Sequence, residues 1–135
     1  MANTLHDLLD EQHIYLVVEA SAANTDKEYG IKTPFKCKLI RVDATPSEAV
    51  TGADTDYFSI IVYNRGTDGN GSTALGTIDF TSGTDNDIYQ KAAVYAPASE
   101  LALAADVFLS FKVDNTGSTG LASPSWVVDF VFRGN

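Results

Sequence analysis

Period-two alternation of apolar and polar side chains constrains this chain more than anything else in it. From Ser125 to Arg133, Trp126, Val128, Phe130 and Phe132 take one face, while Val127, Asp129, Val131 and Arg133 take the other. Val107, Leu109, Phe111 and Val113 repeat the pattern against Ser110, Lys112 and Asp114. A helix cannot gather every second residue on one side and a strand must, so both runs read as half-buried strands. Tyr57 to Tyr63 is rich in β-branched and aromatic residues, as a strand covered on both faces would be. Phe35, Cys37 and Leu39 alternate with Lys36 and Lys38, and then Ile40 and Val42 take over the apolar phase. That break predicts a bulge near Leu39–Ile40, or a strand that changes its packing environment. Ile14 to Val18, Leu75 to Phe80, Ile88 to Tyr95 and Leu101 to Leu103 supply weaker candidates.

Turn-forming clusters separate these runs: 24–26, 51–54, 66–72, 82–87 and 115–120. Glycine and asparagine there tolerate positive φ, and Asp, Ser and Thr bond their own backbone. Seven or eight short strands between such turns predict an all-β fold, a jelly-roll-like β-sandwich of about eight strands. The N-terminus has a different period. Leu5, Leu8 and Leu9 recur at spacings of three and four, and Thr4 with Asp7 can cap a helix. A short N-terminal helical arm over 1–13 and a single sandwich domain over 14–135 are therefore expected. An isolated helix of that length is marginal in water, so the arm needs a surface to lie on.

Charge and cysteine usage remove several function classes. Nine Lys+Arg against eighteen Asp+Glu give a net charge of -9, which disfavours nucleic acid and an anionic membrane surface as partners. No apolar run reaches the ~20 residues of a membrane-spanning helix. Met1 to Asp7 carries neither the basic region nor the apolar core of a secretory leader, so none is expected. One cysteine cannot form an intramolecular disulfide. Cys37 shares its face with Phe35 and Leu39 and reads as a core residue, although flanking Lys36 and Lys38 could activate a thiol. His6 and His13 stand in no nucleophile–base context, and no nucleophile elbow, zinc-protease pair or P-loop occurs. Asp68 and Asn70 before Gly71 echo a calcium loop, but Gly66 and Thr77 stand where it needs carboxylates, so a tight hairpin is expected. The pairs Asp54 with Asp56 and Asp85 with Asp87 leave a weak calcium site open. Asp79, Glu100 and Asp129 are strand-borne acids that a glycosidase could use, yet nothing in the sequence pairs them. Trp126 reads as core rather than as a sugar platform. No enzyme activity, cofactor or metal is expected.

The cations are better organised than the acids. Lys27, Lys32, Lys36, Lys38 and Arg41 fall within one stretch, readable as a solvated strand face, as a positively charged sheet edge that discourages aggregation, or as a patch that docks on an acidic partner. Further segments carry a resemblance: Thr33-Pro34-Phe35 with Lys38-Leu39-Ile40-Arg41-Val42, then Ala49 to Asp56, Val62 to Gly71, and Asp114 to Pro124 before the final strand. Over about residues 33–133 the chain resembles the jelly-roll decoration, or cement, proteins of tailed-bacteriophage capsids. The resemblance implies a non-enzymatic virion protein, made in the host cytoplasm and mounted on the outer surface of the head. Its partner would be the major capsid protein, and it would act as a homotrimer that clamps neighbouring subunits. Leu5, Leu8 and Leu9 of the arm and Lys32, Lys36, Lys38 and Arg41 are the expected contacts with capsid or neighbouring subunit. A carbohydrate- or receptor-binding module of a phage fibre or surface protein is the alternative.

Overall fold

The computed structural model describes residues 11–134. Nine strands follow in chain order: β1 (Glu11–Val18), β2 (Lys27–Lys32), β3 (Cys37–Pro46), β4 (Tyr57–Gly66), β5 (Thr73–Asp79), β6 (Ala92–Tyr95), β7 (Leu101–Leu103), β8 (Phe108–Thr116) and β9 (Trp126–Gly134). They form two antiparallel sheets, one ordered β1-β9-β3-β6 with β7 also on β3, the other β2-β8-β4-β5. One edge of β3 is taken by β9 from Cys37↔Gly134 to Pro46↔Trp126. β7 on Cys37–Leu39 and β6 on Val42–Ala44 therefore share the other edge, as one strand broken in two. The protein is an all-β sandwich.

Alternation puts the expected residues inside. Trp126, Val128, Phe130 and Phe132 from β9 meet Leu109, Phe111 and Val113 from β8 across the interior, all buried. Trp126 lies 5.9–6.4 Å, ring to ring, from Phe58, Phe80 and Phe111. Its indole N–H donates to Ser123 Oγ at 2.9 Å, so a polar atom enters the core with its partner. β4, in the middle of its sheet, is buried on both faces from Phe58 to Val62. The register of β3 on β9 shifts between Leu39 and Arg41, which is the expected bulge. Cys37 is buried, and desolvation raises its thiol pKa above the ordinary value.

Four readings change. Leu5, Leu8, Leu9 and the rest of 1–10 lie outside the described residues, but 11–13 are strand rather than arm. Glu11, Gln12 and His13 pair with Arg133, Phe132 and Val131. Gln12 occupies the position in phase with Ile14, Leu16 and Val18, and a polar residue there hid the period. β2 has no counterpart among the expected strands, because KEYGIK is an edge strand carrying charges and a glycine. Ile88 and Tyr89 are exposed loop residues rather than strand, and β6 begins only at Ala92. Phe35, expected inside, is 39% exposed ahead of β3.

Hydrogen bonds tie the loops together at one end of the sandwich. Ser21 and Ser123 exchange backbone bonds at 3.0 Å, and Asn115 Nδ2 donates to Thr25 O at 2.8 Å. The Gly52 N–H donates to Asp85 Oδ1 at 2.8 Å, and the Thr119 and Gly120 N–H groups donate to Asp56 Oδ1. The loops at 33–36 and 104–107 are stitched through Thr33, which donates to Ala104 O and accepts from the Val107 N–H.

Candidate functional site: the outer face of the first sheet

Antiparallel pairing stacks distant residues into rows across β1, β9 and β3. The rows on the outer face are Val17–Val127–Thr45, Tyr15–Asp129–Asp43 and His13–Val131–Arg41. Side chains in one row share one face, since register fixes facing as well as pairing. The top of this face is apolar and open: Tyr15 and Val17 are each 64% exposed and Val127 is 46% exposed. Val131, in phase with Val127, is fully buried because His13 and Arg41 flank it. Among the described residues β1 is also the edge strand of its sheet, so the apolar strip runs to a backbone edge that no described strand pairs.

Below the strip lies a network of charge. Asp43 and Asp129 stand opposite one another, an arrangement that is destabilising unless each charge is answered. His13 Nδ1 lies 2.9 Å from Asp129 Oδ2, and its Nε2 is 3.3 Å from Glu11 Oε1. Arg41 donates from Nε to Asp43 Oδ2 at 3.0 Å and reaches Glu11 at 3.7 Å. Lys91 adds a second cation 3.8 Å from Asp43. The ring of Tyr15 stacks on His13 with centroids 6.0 Å apart. The face therefore sets an open apolar strip beside a network of ion pairs and hydrogen bonds.

No model of a known protein family matches the chain, and no curated protein matches it.

The expected contact residues are dispersed by the topology. Lys32 is on β2 in the second sheet, paired with Asp106 at 3.6 Å, and its ammonium lies over the Phe108 ring. Lys36 is exposed in the 33–36 loop, and only Lys38 and Arg41 share the outer face of β3. The cation-rich stretch spans both sheets because the chain crosses between them after β2. Arg41 alone joins the network described above. The strip of Tyr15, Val17 and Val127 was invisible in sequence, since Val17 and Val127 meet only through strand register.

Among the described residues, no group of three or more His, Cys, Asp or Glu could hold a metal ion. Asp68 accepts from the Asn70 N–H at 2.9 Å within the β4–β5 hairpin loop, where Gly66 and Gly69 have φ of 73° and 78°. Asp85 and Asp56 serve as loop staples. Two carboxylates do approach one another: Asp114 is raised by burial and by Asp26, against the attraction of Lys112.

Asp56 yields a pH prediction. The Thr119 backbone and hydroxyl, with further backbone N–H groups, hold its pKa below the ordinary 3.8. A depressed folded pKa contributes stability that is present above 3.8 and lost as pH falls through the folded value. Asp56→Asn should lower the melting temperature at neutral pH, and the gap to the parent should shrink in acid. A constant gap in calorimetry from pH 7 to below that range would show that the charge is irrelevant.

Proposed function

We propose that this protein decorates the outer surface of a tailed-phage capsid and clamps neighbouring major capsid proteins, assembling as a homotrimer. The observation that carries this reading is the open strip of Tyr15, Val17 and Val127, running to the strand that, among the described residues, forms the edge of its sheet. Exposed apolar surface with a polar rim is the usual mark of a protein contact. The strand order β1-β9-β3-β6/β7 over β2-β8-β4-β5 supports the finer description as a jelly roll, with two four-stranded layers and a broken edge strand. It thereby supports the likeness over residues 33–133. Leu5, Leu8 and Leu9, outside the described residues, precede β1 in sequence and are assigned to the same contact.

The test is cosedimentation with expanded heads. Val17→Asp or Val127→Asp would place a carboxylate in the contact, and occupancy should fall at least about tenfold. Circular dichroism should be unchanged, because both side chains point outward. Truncation should stop at residue 10, since Glu11 to His13 belong to β1, and should also weaken attachment. Attachment should survive about 0.5 M salt, because Lys32 and Arg41 already face carboxylates and the strip supplies the contact. Undiminished occupancy for the Asp variants would remove the strip from the interface.

A further inference from the structure

The outer face of the second sheet carries a second surface. Register there sets Gly30 beside Ser110 and Ser110 beside Tyr63, with Lys32 beside Phe108 in the next row. Gly30 contributes no side chain, and a cavity of about 340 Å³ opens over it, walled by Glu28, Arg65, Gly69, Phe108 and Ser110. Glycine within a strand often marks a close approach by another group.

The cavity wall is preorganised. Glu28 Oε2 accepts the Ser110 hydroxyl at 2.5 Å and the Arg65 Nε and Nη2 groups at 2.9 and 2.6 Å. Arg65 is fixed in turn by Gly71 O at 3.0 Å and by the Tyr63 ring, 4.1 Å from its guanidinium carbon. Burial pushes the Glu28 pKa up, but Ser110 and Arg65 outweigh it and the carboxyl lies below its ordinary 4.5. All three of these bonds converge on Oε2 and none from a described residue reaches Oε1, so the carboxylate that lines the cavity keeps acceptor capacity. Phe108 keeps 37% of its surface exposed there.

These features select a ligand class. An anion gains little, because Arg65 is already engaged with Glu28. A cation meets the Lys32 ammonium, 5.5 Å from the Phe108 centroid. A neutral ligand with hydroxyl donors for Glu28 Oε1 and an apolar C–H face for Phe108 fits both demands. We propose that this cavity binds a neutral saccharide of one or two pyranose rings. Hydroxyls donate to Glu28, and the sugar's C–H groups pack against the part of the phenyl ring that Lys32 leaves exposed. This site lies on the sheet opposite the proposed capsid contact, and neither reading depends on the other.

The experiment is an array of neutral and sialylated oligosaccharides probed with the full chain. The best neutral binder is then titrated by amide-detected NMR. Binding to neutral glycans, with shifts concentrated at Gly30, Phe108 and Ser110, is expected. Glu28→Gln and Phe108→Ala should each weaken it about tenfold, with circular dichroism showing that both variants fold. Val17→Asp should leave it unchanged. Absence of neutral binders, preference for sialylated glycans, or shifts confined to other surfaces would overturn the assignment. Capsid cosedimentation is read separately and reports only on the first sheet.

Discussion

Trp126→Ala is expected to cost about 3–5 kcal/mol, a large fraction of the total for a domain of this size. The indole is fully buried where β9 crosses the aromatic cluster, and Phe58, Phe80 and Phe111 each pack within 6.4 Å of it. Alanine would leave a void between two sheets whose backbones are held by long ladders, so the walls cannot collapse inward. It would also strip the buried Ser123 hydroxyl of its donor, while that hydroxyl keeps its own bond to Pro124 O. Trp126→Phe keeps most of the volume but loses the N–H and part of the bicyclic ring, so it should cost about 1–3 kcal/mol. Urea denaturation followed by far-UV circular dichroism measures both, because Trp126 is the only tryptophan and its fluorescence disappears with it. Equal costs for the two variants would mean that the hydrogen bond, not the packed volume, holds the site.

What the sequence disclosed divides along a physical line. Where one strand faces the core on one side and water on the other, the residue pattern is the structure. β8, β9 and the bulge in β3 were legible for that reason: Lys38 and Arg41 must both face out, and an odd spacing forces an extra residue between them. Edge strands escape this rule. β2 must discourage further pairing and carries Lys27, Glu28 and Lys32, so no apolar alternation marks its bounds, although the cations were readable as a strand face or sheet edge. Surfaces escape it too, because they are assembled from register. The strip of Val17 and Val127 and the convergence of Glu28, Arg65 and Ser110 join residues far apart in sequence. Periodicity named the outward-facing residues but could not say which of them meet. It also could not foresee that Val131, outward by phase, would be sealed over by His13 and Arg41.

Gly76→Ala should be as damaging as the loss of Trp126, for the opposite reason. Gly76 sits on β5, the edge of the second sheet, beside a register shift against β4. A Cβ added there would lie 2.1 Å from Val94 O and 3.0 Å from the Val94 carbonyl carbon. Val94 belongs to β6 at the edge of the first sheet, so this is where the two layers close on each other with backbone against backbone. No rotamer relieves such a clash, since the obstructing atom is main chain. The edges must part, and a cost of about 3 kcal/mol or more is expected, at the upper end of overpacking effects. Gly83→Ala is the matched control. It has open space around it but a φ of 90°, so its cost, about 1–2 kcal/mol, comes from backbone conformation alone. Urea midpoints for the two variants separate steric closure from dihedral strain. A Gly76→Ala midpoint at or above that of Gly83→Ala would show that β5 and β6 can separate without loss. β1 and β9 lie away from these edges, so under the proposed function the folded fraction of Gly76→Ala should keep the capsid binding proposed for Tyr15, Val17 and Val127.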